Sequence, residues 1–166
     1  RIFVLSEDER RYFFETFGNI CDEIYVEKIV PQWPRTQFDK QNDVEATGMY
    51  GQGIKKYKKT CPFTFMYQQS NWDGTTSPCT LDWAKKVVVG NVKHEAVSDI
   101  WKGERLRHLQ VAQLQGHRDK IDFCNDCSAP MVCCKDDLDD HAETILERIT
   151  NLRGSGDGPN PWINSK

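Results

Sequence analysis

The chain has 166 residues, with 22 Lys and Arg against 25 Asp and Glu, a formal charge of −3, and 38% hydrophobic residues. That length and apolar content exclude wholesale disorder and allow one domain or two small ones around a real core. The balanced charge, with no basic stripe, excludes a general nucleic-acid surface, and no apolar run approaches the roughly 20 residues of a membrane span.

Residues 2–5 are a short apolar run that predicts a buried strand. Ser6-Glu-Asp-Glu9 then reads as a capping box opening a helix, on which Phe13, Phe17 and Ile20 recur at helical spacing. Residues 22–30 alternate loosely through Ile24, Val26 and Ile29 and predict a second strand. A strand–helix–strand unit pairs its strands in parallel through a right-handed crossover. Alone it cannot cover both faces of its sheet, so it belongs to a larger α/β structure.

Pro31 and Pro34 end that strand. Residues 35–60 are polar, carry Gly48, Gly51 and Gly53, and end in a basic stretch at 55–59, which reads as a loop with a solvated face. Residues 63–69 alternate and predict a strand. Asn71-Trp-Asp-Gly74 follows, then residues 75–80, and Asp-Gly between two β-prone runs signals a hairpin. Val87, Val88 and Val89 predict a further strand, stopped by Gly90-Asn91. A helix starts near Glu95, with Gly103 as a possible break and Gly116 as the residue just past its end. The apolar positions from Leu138 to Leu152 predict a last amphipathic helix, and the Gly- and Pro-rich tail is mobile unless Trp162 docks.

Seven cysteines, about 4% of the chain, are too few for a disulfide scaffold and odd in number. With no secretory leader visible, they point to a reduced, cytoplasmic compartment, where clustered thiols mean metal or redox chemistry. Cys61 enters the hairpin and Cys79 leaves it, so the two strands bring both to one end. Cys124-x2-Cys127 grips one centre from a single loop. Four thiolates from two distant pieces suit tetrahedral zinc or a 4Fe–4S cube equally well by spacing. Cys21 reads as a buried packing thiol, and the adjacent Cys133 and Cys134 as loop thiols without a metal. The four histidines show no ligand spacing, and no phosphate-cradling glycine loop or Ser/His/Asp arrangement is present.

The stretches Cys61-Pro-Phe, Asn71-Trp-Asp-Gly-Thr-Thr-Ser-Pro-Cys79, Val89-Gly-Asn-Val92, Val97-Ser-Asp-Ile-Trp101-Lys-Gly and Cys124-Asn-Asp-Cys127 follow one another in a specific order. Together they resemble the SPASM auxiliary-cluster domain of radical SAM enzymes, in its shorter, twitch-like single-cluster form, over about 70 of the 166 residues. The resemblance implies an α+β architecture. Residues 1–60 would be the strand–helix–strand end of a partial α/β barrel with a linker, and residues 61–135 a small hairpin-plus-helix iron–sulfur domain. Residues 136–153 would be a C-terminal amphipathic helix and 154–166 a flexible tail. It implies one 4Fe–4S cluster on Cys61, Cys79, Cys124 and Cys127.

The longer two-cluster pattern would continue through Cys133 to a cysteine at 137, where this chain has Asp137, so a second cluster lacks ligands. The Cys-x3-Cys-x2-Cys loop that holds the S-adenosylmethionine-cleaving cluster is absent. The resemblance therefore implies the C-terminal portion of an oxidoreductase whose catalytic cluster and S-adenosylmethionine site lie in an upstream barrel half or a partner chain. Its role would be electron transfer to or from a substrate radical or the catalytic cluster. The substrate would be a peptide, a sugar or a small alcohol, with no nucleic acid and no membrane. Arg35, at the mouth of the implied barrel, is a candidate for a substrate anion. Phe63, Phe65, Trp72, Phe123 and Pro130 are candidates for the shell around the cluster, with simple core packing of the aromatics as the favoured alternative. A zinc-binding interaction module on the same four thiolates, or a non-catalytic partner subunit, is the alternative.

Overall fold

The computed structural model describes residues 5–28, 30, 48–53, 57–153 and 160–163. Residues 2–4 of the first expected strand, and Arg35, lie outside this set.

The capping box forms as written. Ser6 Oγ accepts the Glu9 N–H at 3.2 Å, the Glu9 carboxylate accepts the Ser6 N–H at 2.8 Å, and helix α1 runs Glu7–Phe17. The Ser6 N–H and hydroxyl, both donating to the Glu9 carboxylate, hold its carboxyl below the ordinary range. Phe13 meets Phe14 edge-on and Phe17 at a tilt, yet no residue of α1 is buried, and Tyr12 and Ile20 stand 69% and 77% exposed.

The expected strand over 22–30 is not formed by the described residues there. An extended segment becomes a strand only with a ladder partner. Here Lys28 N–H bonds the Met49 carbonyl at 2.8 Å, and most of 22–28 is exposed. Val30 and Met49 instead pack on Val132, where Met49 N–H donates to the Val132 carbonyl at 2.7 Å.

Residues 63–69 also differ from expectation. Helix α2 spans Phe63–Met66 and strand β1 only Gln69–Ser70. Pro62 supplies a helical φ of −60°, and Thr64 Oγ1 bonds back to the Cys61 carbonyl at 3.0 Å. These local bonds outweigh a weak alternation.

The hairpin stands. Strand β2, Thr75–Ser77, pairs antiparallel with β1 in the register Gln69↔Ser77 and Ser70↔Thr76. Gly74 takes φ +87° in the turn, a conformation that favours glycine. Strand β3, Gly90–Asn91, completes an antiparallel sheet of order β1-β2-β3. It starts after the Val run. Val87 N–H is taken by the Asp82 carboxylate at 2.7 Å, while Val87 and Val89 are buried in the core. Hydrophobicity marked the buried residues, and the backbone partners marked the strand.

Gly103 separates helix α3, Val97–Lys102, from helix α4, Glu104–Leu114, serving as C-cap of one and N-cap of the other. The main core joins Val87, Val89, Ile100, Leu106, Leu109, Ala112 and Ile121. Gly90 lets β3 approach α3, since a Cβ there would lie 2.7 Å from both γ-carbons of Ile100. A 3-10 turn over Arg118–Lys120 and helix α5, Ala129–Val132, flank the cysteine loop. Helix α6, Ala142–Arg153, packs on α4. Trp162 docks against this core, its Nε1 donating to the Arg105 carbonyl at 2.8 Å. Helices beside a small antiparallel sheet make the fold α+β. Among the described residues, no helix is long and apolar enough to cross a membrane.

Candidate metal centre

Three pieces of chain carry the four singled-out cysteines. Cys61 precedes α2, Cys79 follows β2 by one proline, and Cys124 and Cys127 sit on turns after the Arg118–Lys120 helix. There Cys124 N–H reaches the Ile121 carbonyl at 2.8 Å and Cys127 N–H the Cys124 carbonyl at 3.3 Å. Helix α4 anchors the first piece. Gln113 Oε1 accepts the Cys61 N–H at 3.0 Å, and Gln110 Nε2 donates to the Thr64 carbonyl at 3.0 Å. Asp82, 1% exposed, ties the turn after Cys79 by accepting the N–H groups of Lys86 and Val87.

The four thiols lie within electrostatic reach of one another, with Cys124 packed on the main core and the other three in a neighbouring cluster. Each of their six pairings is close enough that a thiolate at one site raises the thiol pKa at another. Burial is the larger cause in every case. It pushes Cys61 well above its ordinary value, Cys79 to about 11 and Cys124 to about 12, and raises Cys127 as well. Cys61, Cys127 and Cys134 share one buried cluster with Phe63 and Ala129, against which Cys79 and Cys133 pack.

Leu81 N–H donates to Cys79 Sγ at 3.4 Å, and the Phe63 and Ala129 amides lower the thiol pKa of Cys61 and Cys127 against the effect of burial. Such bonds favour the thiolate, and they are the donors that tune a metal–sulfur group.

Arg118 supplies a buried positive charge beside the other pair. It is 1% exposed, and its Nη1 donates to the carbonyls of Cys124 at 3.2 Å and Cys127 at 2.9 Å. Its guanidinium lies over the Tyr57 ring at 4.2 Å and lowers the pKa of both thiols against the effect of burial.

Four desolvated thiols within electrostatic reach of one another repel once ionised. A positively charged inorganic core relieves that repulsion, so the donor set fits a thiolate-held metal group. Two buried donors in this neighbourhood also lack acceptors: Gln113 Nε2 and Arg118 Nε. Among the described residues, however, no group of three or more His, Cys, Asp or Glu side chains is drawn together at the spacing of a metal ion. A tetrahedral zinc with bonds of about 2.3 Å pulls its sulfurs far closer together than a cube, whose cysteines bind four separate corners.

The remaining sequence candidates fall elsewhere. Cys21 is exposed, contrary to its reading as a packing thiol, because α1 presents no buried face and the chain leaves it into solvent. Lys58 departs from the expected solvated face. It is 5% exposed and donates from Nζ to the carbonyls of Cys134 at 2.8 Å and Asp136 at 2.6 Å. Phe63 does stand in the thiol cluster, but Trp72 is 92% exposed at the hairpin tip and Phe123 packs on the main core. Cys133 faces a cavity of about 490 Å³ with Phe14, Tyr25, Tyr50, Tyr67 and Lys135, and feels the charge of Cys127 and Cys79. Sequence reading did not find Arg118, Gln113 or Asp82, since a polar side chain carries no periodic signal that it will be buried.

Residues 61–128 match the SPASM family, an iron–sulfur cluster-binding domain. Over 66 residues, 40% of this chain, the sequence is 32% identical to an S-adenosyl-L-methionine-dependent 2-deoxy-scyllo-inosamine dehydrogenase of Niallia circulans. The match spans 26% of that relative, about a quarter of its length. No solved structure matches.

Proposed function

We infer that this chain, whose residues 61–128 carry the SPASM iron–sulfur cluster-binding domain, is the C-terminal portion of a radical SAM enzyme, with Cys61, Cys79, Cys124 and Cys127 holding one auxiliary 4Fe–4S cluster. The observation that carries this reading is the match of residues 61–128 to an iron–sulfur cluster-binding domain, with the four thiols of that stretch buried within electrostatic reach of one another. When bound, such a cluster supplies one-electron redox chemistry.

The chain's own residues then have separable tasks. The four thiolates bind. The amides of Phe63, Leu81 and Ala129 stabilise the sulfur charge, and Arg118 offsets it on the side of Cys124 and Cys127. Phe63 and the apolar neighbours Leu81 and Ala129 keep water from the sulfurs, which sets potential as well as stability.

With every corner taken by cysteine, the site suits electron transfer to or from a substrate radical or the catalytic cluster rather than substrate ligation. The Cys-x3-Cys-x2-Cys loop is not in this sequence, so cleavage of S-adenosylmethionine is assigned to an upstream barrel half or a partner chain. The relative's named activity makes a small polyhydroxylated alcohol the first substrate class to try, and an oxygen-sensitive cluster held by cysteines is the support for a cytoplasmic setting.

Anaerobic reconstitution with iron and sulfide tests the reading. One 4Fe–4S cluster per chain, with broad visible absorbance and a paramagnetic reduced state, is expected. A colourless protein that takes up one zinc per chain and no sulfide overturns it.

A further inference from the structure

Gln113 has no exposed surface, and its side chain has one end fixed and one end open. Its Oε1 accepts the Cys61 N–H at 3.0 Å, while Thr60 Oγ1 donates to its backbone carbonyl at 3.3 Å. The other side-chain atom, the Nε2 donor, is buried without an acceptor. The amide cannot be turned over to resolve this, because that would aim Nε2 at the Cys61 N–H, donor against donor. A buried amide donor left unpaired is costly and rare.

Its neighbourhood is the Cys61 end of the thiol group, where the sulfur is desolvated and senses the other three cysteines. A neutral thiol is a weak acceptor, but a thiolate or sulfide is anionic and accepts strongly. Gln110, one turn earlier on the same helix, already spends its donor on the Thr64 carbonyl, so the open donor is particular to Gln113.

We propose that Gln113 Nε2 donates a hydrogen bond to a sulfur at the Cys61 corner of the auxiliary cluster and raises the cluster's reduction potential; this rests on the 4Fe–4S reading above. The sign follows from charge. Reduction adds an electron to the cluster, and a donor to sulfur stabilises the more negative state.

The test is redox titration of the anaerobically reconstituted protein, followed by electron paramagnetic resonance, for the wild type, Gln113→Leu and Gln110→Leu. Gln113→Leu is expected to lower the ratio of reduced to oxidised cluster about tenfold at a fixed potential, a downward shift of about 59 mV for one electron. Gln110→Leu keeps the wild-type potential. A second readout needs no substitution at Gln113. Protein grown with side-chain ¹⁵N-glutamine should show nitrogen coupling to the reduced cluster by pulsed resonance, and the coupling should persist in Gln110→Leu. A loaded Gln113→Leu protein at the wild-type potential, or loaded protein without nitrogen coupling, overturns the proposal and leaves the cluster reading intact. A wild-type protein that takes up no iron and sulfide overturns both.

Discussion

Arg118 Nη1 bonds the backbone carbonyl of Cys127 at 2.9 Å, and the same nitrogen reaches the Cys124 carbonyl at 3.2 Å. One buried cation therefore fixes the Cys-x2-Cys loop through its backbone while offsetting the charge of its sulfurs. Arg118→Met removes two charge-assisted hydrogen bonds and leaves two carbonyls without their donor, which costs about 3 kcal/mol. Urea unfolding of the cluster-free protein measures that loss directly. Arg118→Lys keeps the charge but not the forked geometry and recovers only part of it.

The ligand assignment separates the seven cysteines into two groups by iron content. Cys61→Ala, Cys79→Ala, Cys124→Ala and Cys127→Ala should each lose most of their iron, together with the stability that metal binding adds to folding. Cys21→Ala should keep the wild-type content, since Cys21 is exposed on the chain leaving α1. Cys133→Ala should keep it too, although its thiol senses Cys127 and Cys79, because four ligands already complete the set. Iron retained in Cys79→Ala, or lost in Cys133→Ala, redraws the site.

What the sequence made legible was local and repeated chemistry. Ser6 and Glu9 announced α1, Asp73-Gly74 announced the hairpin, and Gly103 the break between α3 and α4, because each signal rests on bonds within a few residues. The four cysteines could be grouped in the sequence by their spacing and a family likeness, and the family match covers all four. The strand expected over 22–30 failed because a strand depends on a partner that no local pattern names. The strand expected over 63–69 failed because Pro62 and the Thr64 hydroxyl favour a turn of helix there. Lys58 and Arg118 were misread or missed because the carbonyls that hold them belong to distant or irregular segments.

The hairpin tip carries a pH dependence of definite sign. Asp73 accepts from Lys85 Nζ at 2.6 Å and from Thr75, and these bonds hold its carboxyl well below the ordinary 3.8. A depressed carboxyl contributes stability that is complete above its unfolded value and lost as pH falls through its folded one. The wild type should therefore lose stability below about pH 4. Asp73→Asn should flatten that part of the curve while starting from a lower plateau at neutral pH. Because each side chain of the pair is about a third exposed, added salt should also reduce the difference. Thermal unfolding of the cluster-free protein across an acid pH series reads both effects.

Gly90 and Ile100 are coupled across the main core. A Cβ at Gly90 would fall 2.7 Å from both Cγ atoms of Ile100, whose side chain is 1% exposed and interlocked with Leu106, Leu109 and Val89. The clash cannot be relieved by a flexible tip, so Gly90→Ala should destabilise by about 1–3 kcal/mol through overpacking. Ile100→Val alone should cost about 1 kcal/mol through the lost methyl group. Combined, the smaller side chain yields room to the new methyl, and the double variant should be more stable than the sum of the two costs predicts. A cycle of urea unfolding on the four proteins measures that coupling. Strict additivity would mean that β3 moves away from α3 instead, and the Thr76↔Gly90 pairing would then show faster amide exchange at Val89, whose N–H bonds the Thr76 carbonyl at 2.8 Å.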